Sequence, residues 1–217
     1  MTQPVVYRIL SRISLAGIFL YIGLYILATF YYNGGNNEDK LAVGFSWAKN
    51  YWCELISPIG KNGQVNSAYP IAVVAAIVLF GTLVVFWIAV PPSLISRRRI
   101  ARFVTICGTV SMIFAISMLS GLYHDLLISI SGAFGVLAIA ILLYYLYQTN
   151  RLFLFYIGIL CIVLCGLNNY VYYTGHFIEF LPILQKISFL VFLTWFGRVL
   201  FEGQKLKVKI QNGFMRK

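Results

Sequence analysis

Six stretches of this chain, at about residues 13–32, 70–90, 103–123, 126–147, 152–173 and 182–201, are apolar throughout and carry almost no charge. A helix rises about 1.5 Å per residue, so runs of about 20 residues are long enough to cross a hydrocarbon layer about 30 Å thick. No water pairs with backbone amides in that layer, and an α-helix is the element that satisfies them within one segment. A β-barrel would read instead as short segments of alternating polarity, and no such alternation occurs. The reading is an all-α integral membrane protein, a six-transmembrane-helix bundle forming a single membrane domain over residues 1–217. Composition closes the soluble alternative. The chain is 60% hydrophobic and 11% charged, whereas a soluble domain carries about 25% charged residues. The first run is expected to be a retained helix and not a signal peptide, because it ends in "ATFYYNGG" without a small-x-small cleavage site.

Charge placement predicts the orientation. Of the 17 basic residues, 13 fall on one side of the six runs. Arg8 and Arg12 precede the first run, Arg97, Arg98, Arg99 and Arg102 lie between the second and third, and Arg151 lies between the fourth and fifth. The rest of this set, from Arg198 to Lys217, lies at or after the end of the sixth, where residues 202–217 form a basic tail. Basic residues stay on the cytoplasmic side, so both termini are expected inside, in a bacterial cytoplasmic (inner) membrane. The basic tail reads as a topology signal beside anionic headgroups, and nucleic acid is not an expected partner. The acidic residues show the opposite bias: Glu38, Asp39, Glu54, Asp125 and Glu179 fall outside, and Glu202 alone falls inside. Both histidines, His124 and His176, also lie at outer ends.

The long connection, 33–69, is therefore an outer loop. Its "VGFSWAKNYWCELISPIG" segment places Phe45, Trp52 and Ile56 near one helical face, with Lys49 and Asn50 elsewhere. That pattern predicts a short amphipathic helix lying in the membrane interface, where tryptophan and tyrosine rings favour the headgroup layer. A cover over a polar pocket is the alternative. Ser67 is placed to cap the second run, with Pro70 in its first turn. Trp87, Tyr144 and Tyr145 read as belt anchors. Gly108, Ser111, Ala115, Ser131, Gly132 and Gly135 give the third and fourth runs small faces suited to close helix packing. Those two runs are joined by almost no loop, as an antiparallel hairpin requires.

The chemistry-bearing residues gather at the outer ends. Asp125 and His124 sit at a helix junction, where capping is the structural reading. His176 and Glu179 stand three apart, and Lys186 lies in the first turns of the sixth run and needs an anion. Asn168 and Asn169 need partners if buried. His124, Asp125, His176 and Glu179 are the candidate catalytic set. Glu54, Asn50, Trp52, Asn168, Asn169 and Lys186 are the candidate binding set. His124 and His176 are the candidate metal ligands, since two histidines with carboxylates form a donor set for zinc that activates water. They serve equally as acid and base without metal, or as caps and ion pairs. Cys53 is the one cysteine outside the runs, whereas Cys107, Cys161 and Cys165 lie within them, where free cysteine usually fills core space. Whether Cys53 is modified is left open.

The residues Gly44, Phe45, Trp47, Asn50, Tyr51, Trp52 and Cys53, then Asn62, Gly63, Gln64 and Asn66, resemble two runs found in a group of bacterial six-span membrane proteins. "YHD" at 123–125, "LNNY" at 167–170 and "HFIEFLPILQKI" at 176–187 are similar to that group as well. More distantly the layout resembles a domain-of-unknown-function family near the Frag/DRAM/Sfk-like membrane proteins. In that wider group a Ser-Asp pair often follows the aromatic run, where this chain has Cys53 and Glu54. The resemblance implies the six-span fold and brings no activity with it.

The functional expectation is a polar outer pocket that acts on, or binds, a lipid or lipid-linked headgroup. The alternatives are a non-catalytic lipid-binding or scaffold protein and, last, a small-solute transporter. Membrane lipid is the expected partner, and self-association is compatible with the pattern.

Overall fold

A computed structural model describes residues 3–120 and 123–214, with side chains described over 5–119, 123 and 126–203. Six long apolar helices are present, as a six-span membrane bundle requires. They are α1 (Gln3–Phe30), α2 (Tyr69–Ala89), α4 (Arg98–Ser117), α5 (His124–Gln148), α6 (Leu152–Thr174) and α7 (Leu181–Phe214), with α3 (Pro91–Leu94) a single turn after α2. The chain is a multi-pass membrane protein. Between 22% and 44% of each spanning window is buried within the protein, so most of every apolar helix faces outward. Leu20, Ile77, Ile106, Leu137, Leu160 and Leu190, one on each spanning helix, are exposed. Lipid is the solvent in which such faces cost nothing.

The ends of the helices differ from the sequence reading where polar residues continue a helix. The α1 helix begins at Gln3, so Arg8 and Arg12 ride on it as exposed side chains and do not precede it. The α7 backbone stays helical to Phe214, past the end of the apolar run. Proline works as expected after α2: Pro91 opens α3, where its missing amide is no loss.

The chain divides into two compact units. The first comprises 1–18, 78–159 and 193–217. Its core is aromatic. The Phe86 ring meets Phe196 edge-on at 4.5 Å and Trp87 edge-on at 5.1 Å. Trp195 is fully buried, and its indole donates to the Leu154 carbonyl at 2.8 Å. Trp87 is only 1% exposed, against the belt-anchor expectation. Its place in the core follows from Gly108 on α4, whose missing Cβ leaves the space the indole occupies. Tyr144, by contrast, is exposed.

The small faces of α4 and α5 pack as expected. The Ser111 hydroxyl donates to the Ser131 carbonyl at 2.7 Å, and the Ser131 hydroxyl donates to the Ser111 carbonyl at 2.9 Å. Two hydroxyls can reach backbone across a helix pair only where the backbones approach closely. Gly135 permits this, since a Cβ there would stand 2.9 Å from Ser111 Oγ. Arg151, at the start of α6, pairs with Glu202 on α7 at 2.9 Å.

The second unit comprises 19–77 and 160–192. It holds the long loop and the adjoining parts of α1, α2, α6 and α7.

Candidate binding site at the loop-bearing end

The loop folds through asparagine side chains. The Asn36 side chain accepts from the amides of Glu38 and Asp39, each at 2.9 Å. Asn62 accepts from Gln64 at 3.0 Å. Asn66 is buried and donates to the carbonyls of Glu54, Leu55 and Ser57 at 3.1, 3.2 and 2.8 Å, while accepting from Ala68 at 3.0 Å. Asn66 thus organises the chain just before α2, where Ser67 was expected to cap. Two short antiparallel bridges, Gly34 with Val43 and Ile59 with Val65, close the turns. Gly35 stands at φ +78°, with the Lys61–Asn62 backbone close to where its Cβ would lie, so glycine alone fits there.

The expected amphipathic helix does not form. One turn runs from Ser46 to Asn50, and a 3₁₀-helix of five residues follows, Trp52–Ile56. The reason is local. The Asn50 side-chain oxygen accepts from the Ser46 amide at 2.8 Å, a side-chain closure that competes with helix propagation. Asn50 is wholly buried and its amide nitrogen donates twice, to the Gly35 carbonyl at 2.7 Å and to Glu54 Oε2 at 2.5 Å.

Aromatic residues fasten this segment to α1 and α7. The Trp52 indole donates to the Tyr21 hydroxyl at 2.8 Å, and the Tyr25 hydroxyl donates to the Trp52 carbonyl at 2.8 Å. The Tyr25 and Trp52 rings stack at 4.5 Å. Tyr21 and Tyr25 stand four apart on α1, on one face, and both are buried. Phe189 on α7 completes the cluster, 6.4 Å from Trp52. Burial of ring edges with satisfied polar tips accounts for Tyr21, Tyr25 and Trp52, whereas Trp47 is exposed.

Lys186 on α7 is the charged centre of the site. Its ammonium donates to the Asn50 carbonyl at 2.6 Å and to the Pro182 carbonyl at 3.0 Å. It lies 5.5 Å from the Phe45 ring centre and 5.7 Å from that of Trp52, within cation–π range. An ammonium has three donors, and these two carbonyls use two. Glu54 is 5% exposed. Its Oε1 has no hydrogen-bond partner among the described residues and lies 3.8 Å from Lys61 Nζ. Burial holds the Glu54 carboxyl above its usual value, opposed by the Asn50 hydrogen bond and by the charges of Lys61 and Lys186. Desolvation, then the nearby Glu54 carboxylate, pushes the Cys53 thiol up as well, the reverse of what activates a nucleophilic thiol.

The remaining candidates are placed differently. Asn168 on α6 donates to Ser188 Oγ on α7 at 2.7 Å, an interhelical bond. Asn169 is exposed and bonds back to the Cys165 carbonyl on its own helix at 2.9 Å. His176 and Glu179 are exposed in the α6–α7 connection. The backbone between them turns left-handed at Phe177, φ 59°, so no continuous helical turn joins the pair. His176 instead stacks on Tyr170 at 6.5 Å. The side chains of His124 and Asp125 lie outside the described residues. Among the described residues no group of three His, Cys, Asp or Glu side chains is arranged to hold a metal ion. The structure therefore brings together Asn50, Trp52, Glu54 and Lys186, and adds Tyr21, Tyr25 and Asn66. The i, i+4 tyrosine pair in the first apolar run was the signal for two of these.

No family model, no curated protein and no solved structure matches this chain.

Proposed function

We propose that this protein is a lipid-binding membrane protein, non-catalytic at its loop-bearing end, that engages a phosphate-bearing lipid headgroup through Lys186. The single observation that supports this reading is the setting of the Lys186 ammonium. It is half-buried, held by two neutral carbonyls, in no direct ion pair among the described residues, and keeps one donor for an external anion. A fixed ammonium on a spanning helix is costly to maintain, and a headgroup phosphate in the adjoining leaflet offsets that cost.

The other polar groups of the site serve as internal fastenings. Asn50 and Asn66 are held by backbone and Glu54, and Asn168 donates to Ser188 while its side-chain oxygen has no partner among the described residues. In this reading the loop is a folded cover that fixes Lys186 in place, and charge placement orients that end outward, with both termini cytoplasmic.

Titration of the purified protein with a short-chain phosphatidylglycerol, read by tryptophan fluorescence, tests the proposal. Lys186→Gln is expected to weaken binding about tenfold, the equivalent of about 1.4 kcal/mol, with Lys186→Arg retaining most of it. Unchanged affinity in Lys186→Gln contradicts the reading. Conversion of the lipid that disappears in His176→Ala replaces it with the catalytic one.

A further inference from the structure

A groove of about 650 Å³ opens between the first turns of α4 and the last turns of α5. Its floor is apolar, formed by Ile100, Phe103 and Ile141 with the Tyr144 and Tyr145 rings, and its rim carries Arg97, Arg99 and Gln148. The volume lies within the roughly 300–1,000 Å³ typical of ligand sites. All these residues belong to the first unit, whereas Lys186 belongs to the second.

We infer that this groove binds one anionic phospholipid of the surrounding leaflet, its phosphate on Arg97 and Arg99 and an acyl chain along Phe103 and Ile141. Three observations carry this. The first is position. The spanning windows of these two helices begin at Arg98 and end at Gln148, so the rim stands at the depth of the headgroups and the floor at the depth of the chains. The second is charge. Arg97, Arg98, Arg99 and Arg102 are exposed within six residues, and none has a carboxylate partner among the described residues. The acidic residue that shares this end, Glu202, is paired with Arg151. The third is chemistry. Guanidinium groups hold phosphate with two parallel hydrogen bonds, and basic pockets between spanning helices are a recurrent setting for anionic headgroups. The uncapped amides of the first turn of α4 add donors on the same side, since Arg97 offers no side-chain cap.

The test uses the full chain carrying Lys186→Gln, which removes the lipid proposed above, in phosphatidylcholine nanodiscs with and without phosphatidylglycerol, counting retained lipid by native mass spectrometry. Arg97→Gln with Arg99→Gln is expected to lose retained phosphatidylglycerol at least fivefold. Arg98→Gln with Arg102→Gln removes equal charge outside the groove and is expected to change it less than twofold. Ile141→Trp keeps every charge and fills the floor, and is expected to lower retention as the first pair does. That variant also covers the case in which removing arginines disturbs insertion. Equal losses from the two arginine pairs, or full retention in Ile141→Trp, overturn the assignment in favour of diffuse surface attraction. Restoring Lys186 is expected to add its own retained phosphatidylglycerol and to leave the loss in Arg97→Gln with Arg99→Gln the same size; a loss that depends on Lys186 counts against a separate site.

Discussion

Lys186 on α7 reaches across 136 positions of sequence to donate to the main-chain carbonyl of Asn50 at 2.6 Å. The side chain of the same asparagine donates to Glu54 Oε2. One buried residue thus stands between an ammonium and a carboxylate, tied to both and charged by neither. This arrangement fixes the loop on α7 without neutralising the lysine in a direct ion pair.

Asn50 is consequently the residue whose loss the loop tolerates least. Asn50→Ala strands the Ser46 amide and Glu54 Oε2 and leaves the Gly35 carbonyl with the Tyr32 hydroxyl alone. Each buried polar group left unpaired costs about 1–3 kcal/mol. A clear fall in the unfolding midpoint is expected, with faster proteolysis within 33–69. Asn50→Asp places a second carboxylate beside Glu54 and should be worse. An unaltered midpoint in Asn50→Ala refutes this role.

Glu54 gives a pH dependence of defined sign. In the unfolded chain its carboxyl titrates near the ordinary 4.5, whereas burial raises it in the folded protein. Between the two values the folded state binds more protons, so stability falls as pH rises through that window. The contribution is fully present below about pH 4.5 and lost above the raised value. Melting curves across pH 4–8 should show this decline, and Glu54→Gln should flatten it. An equal slope in the variant means that other groups carry the effect.

Arg151 and Glu202 form a largely buried pair at 2.9 Å, with side chains 15% and 29% exposed. Removing one partner of a buried pair leaves an uncompensated charge, at a cost of up to about 3–5 kcal/mol. Glu202→Gln should destabilise the protein by a sizeable part of that, less solvent screening. The swap Arg151→Glu with Glu202→Arg should recover much of the loss. The exposed pair Lys49 with Glu38, both side chains 51% exposed, is the contrast. Lys49→Ala should leave the unfolding midpoint almost unchanged, because solvent screens an exposed pair.

Two glycines of the small-residue faces should respond in opposite directions. A Cβ on Gly108 collides with the Trp87 indole, whereas one on Gly132 meets nothing within 4 Å. Gly108→Ala is expected to cost about 1–3 kcal/mol by overpacking. Gly132→Ala is expected to be neutral or to stabilise by up to about 1 kcal/mol through helix propensity. Equal effects in a denaturant titration contradict this packing of α4 on Trp87.

What the sequence shows plainly is whatever depends on period and length. The six spans were legible because hydrocarbon thickness sets a minimum apolar run. The Ser131–Gly135 spacing was legible because close packing needs small residues at helical intervals. The loop was not. The placement of Phe45, Trp52 and Ile56 fits a helical face, but Asn50 closes on Ser46 and halts the helix after one turn. That competition is between side chain and backbone, and hydrophobic period carries no trace of it. Trp87 misled for a similar reason: a tryptophan near a span end reads as an anchor until Gly108, on another helix, is known to make room for it. Lys186 and Glu54 were picked out by charge alone, and their shared tie through Asn50 depends on the fold. Tyr21 and Tyr25 were passed over because a tyrosine pair inside an apolar run looks like filler.

The account rests on Lys186 keeping its charge for a lipid phosphate, and nuclear magnetic resonance on the protein in phospholipid bilayers reads this directly. With lysine side chains labelled in nitrogen, dipolar dephasing by phosphorus reports proximity of each ammonium to a headgroup, and the Lys186 signal is assigned by its loss in Lys186→Gln. The account predicts strong dephasing of that signal, abolished when the bilayer lipid carries no phosphate. A Lys186 signal that phosphorus leaves untouched contradicts it.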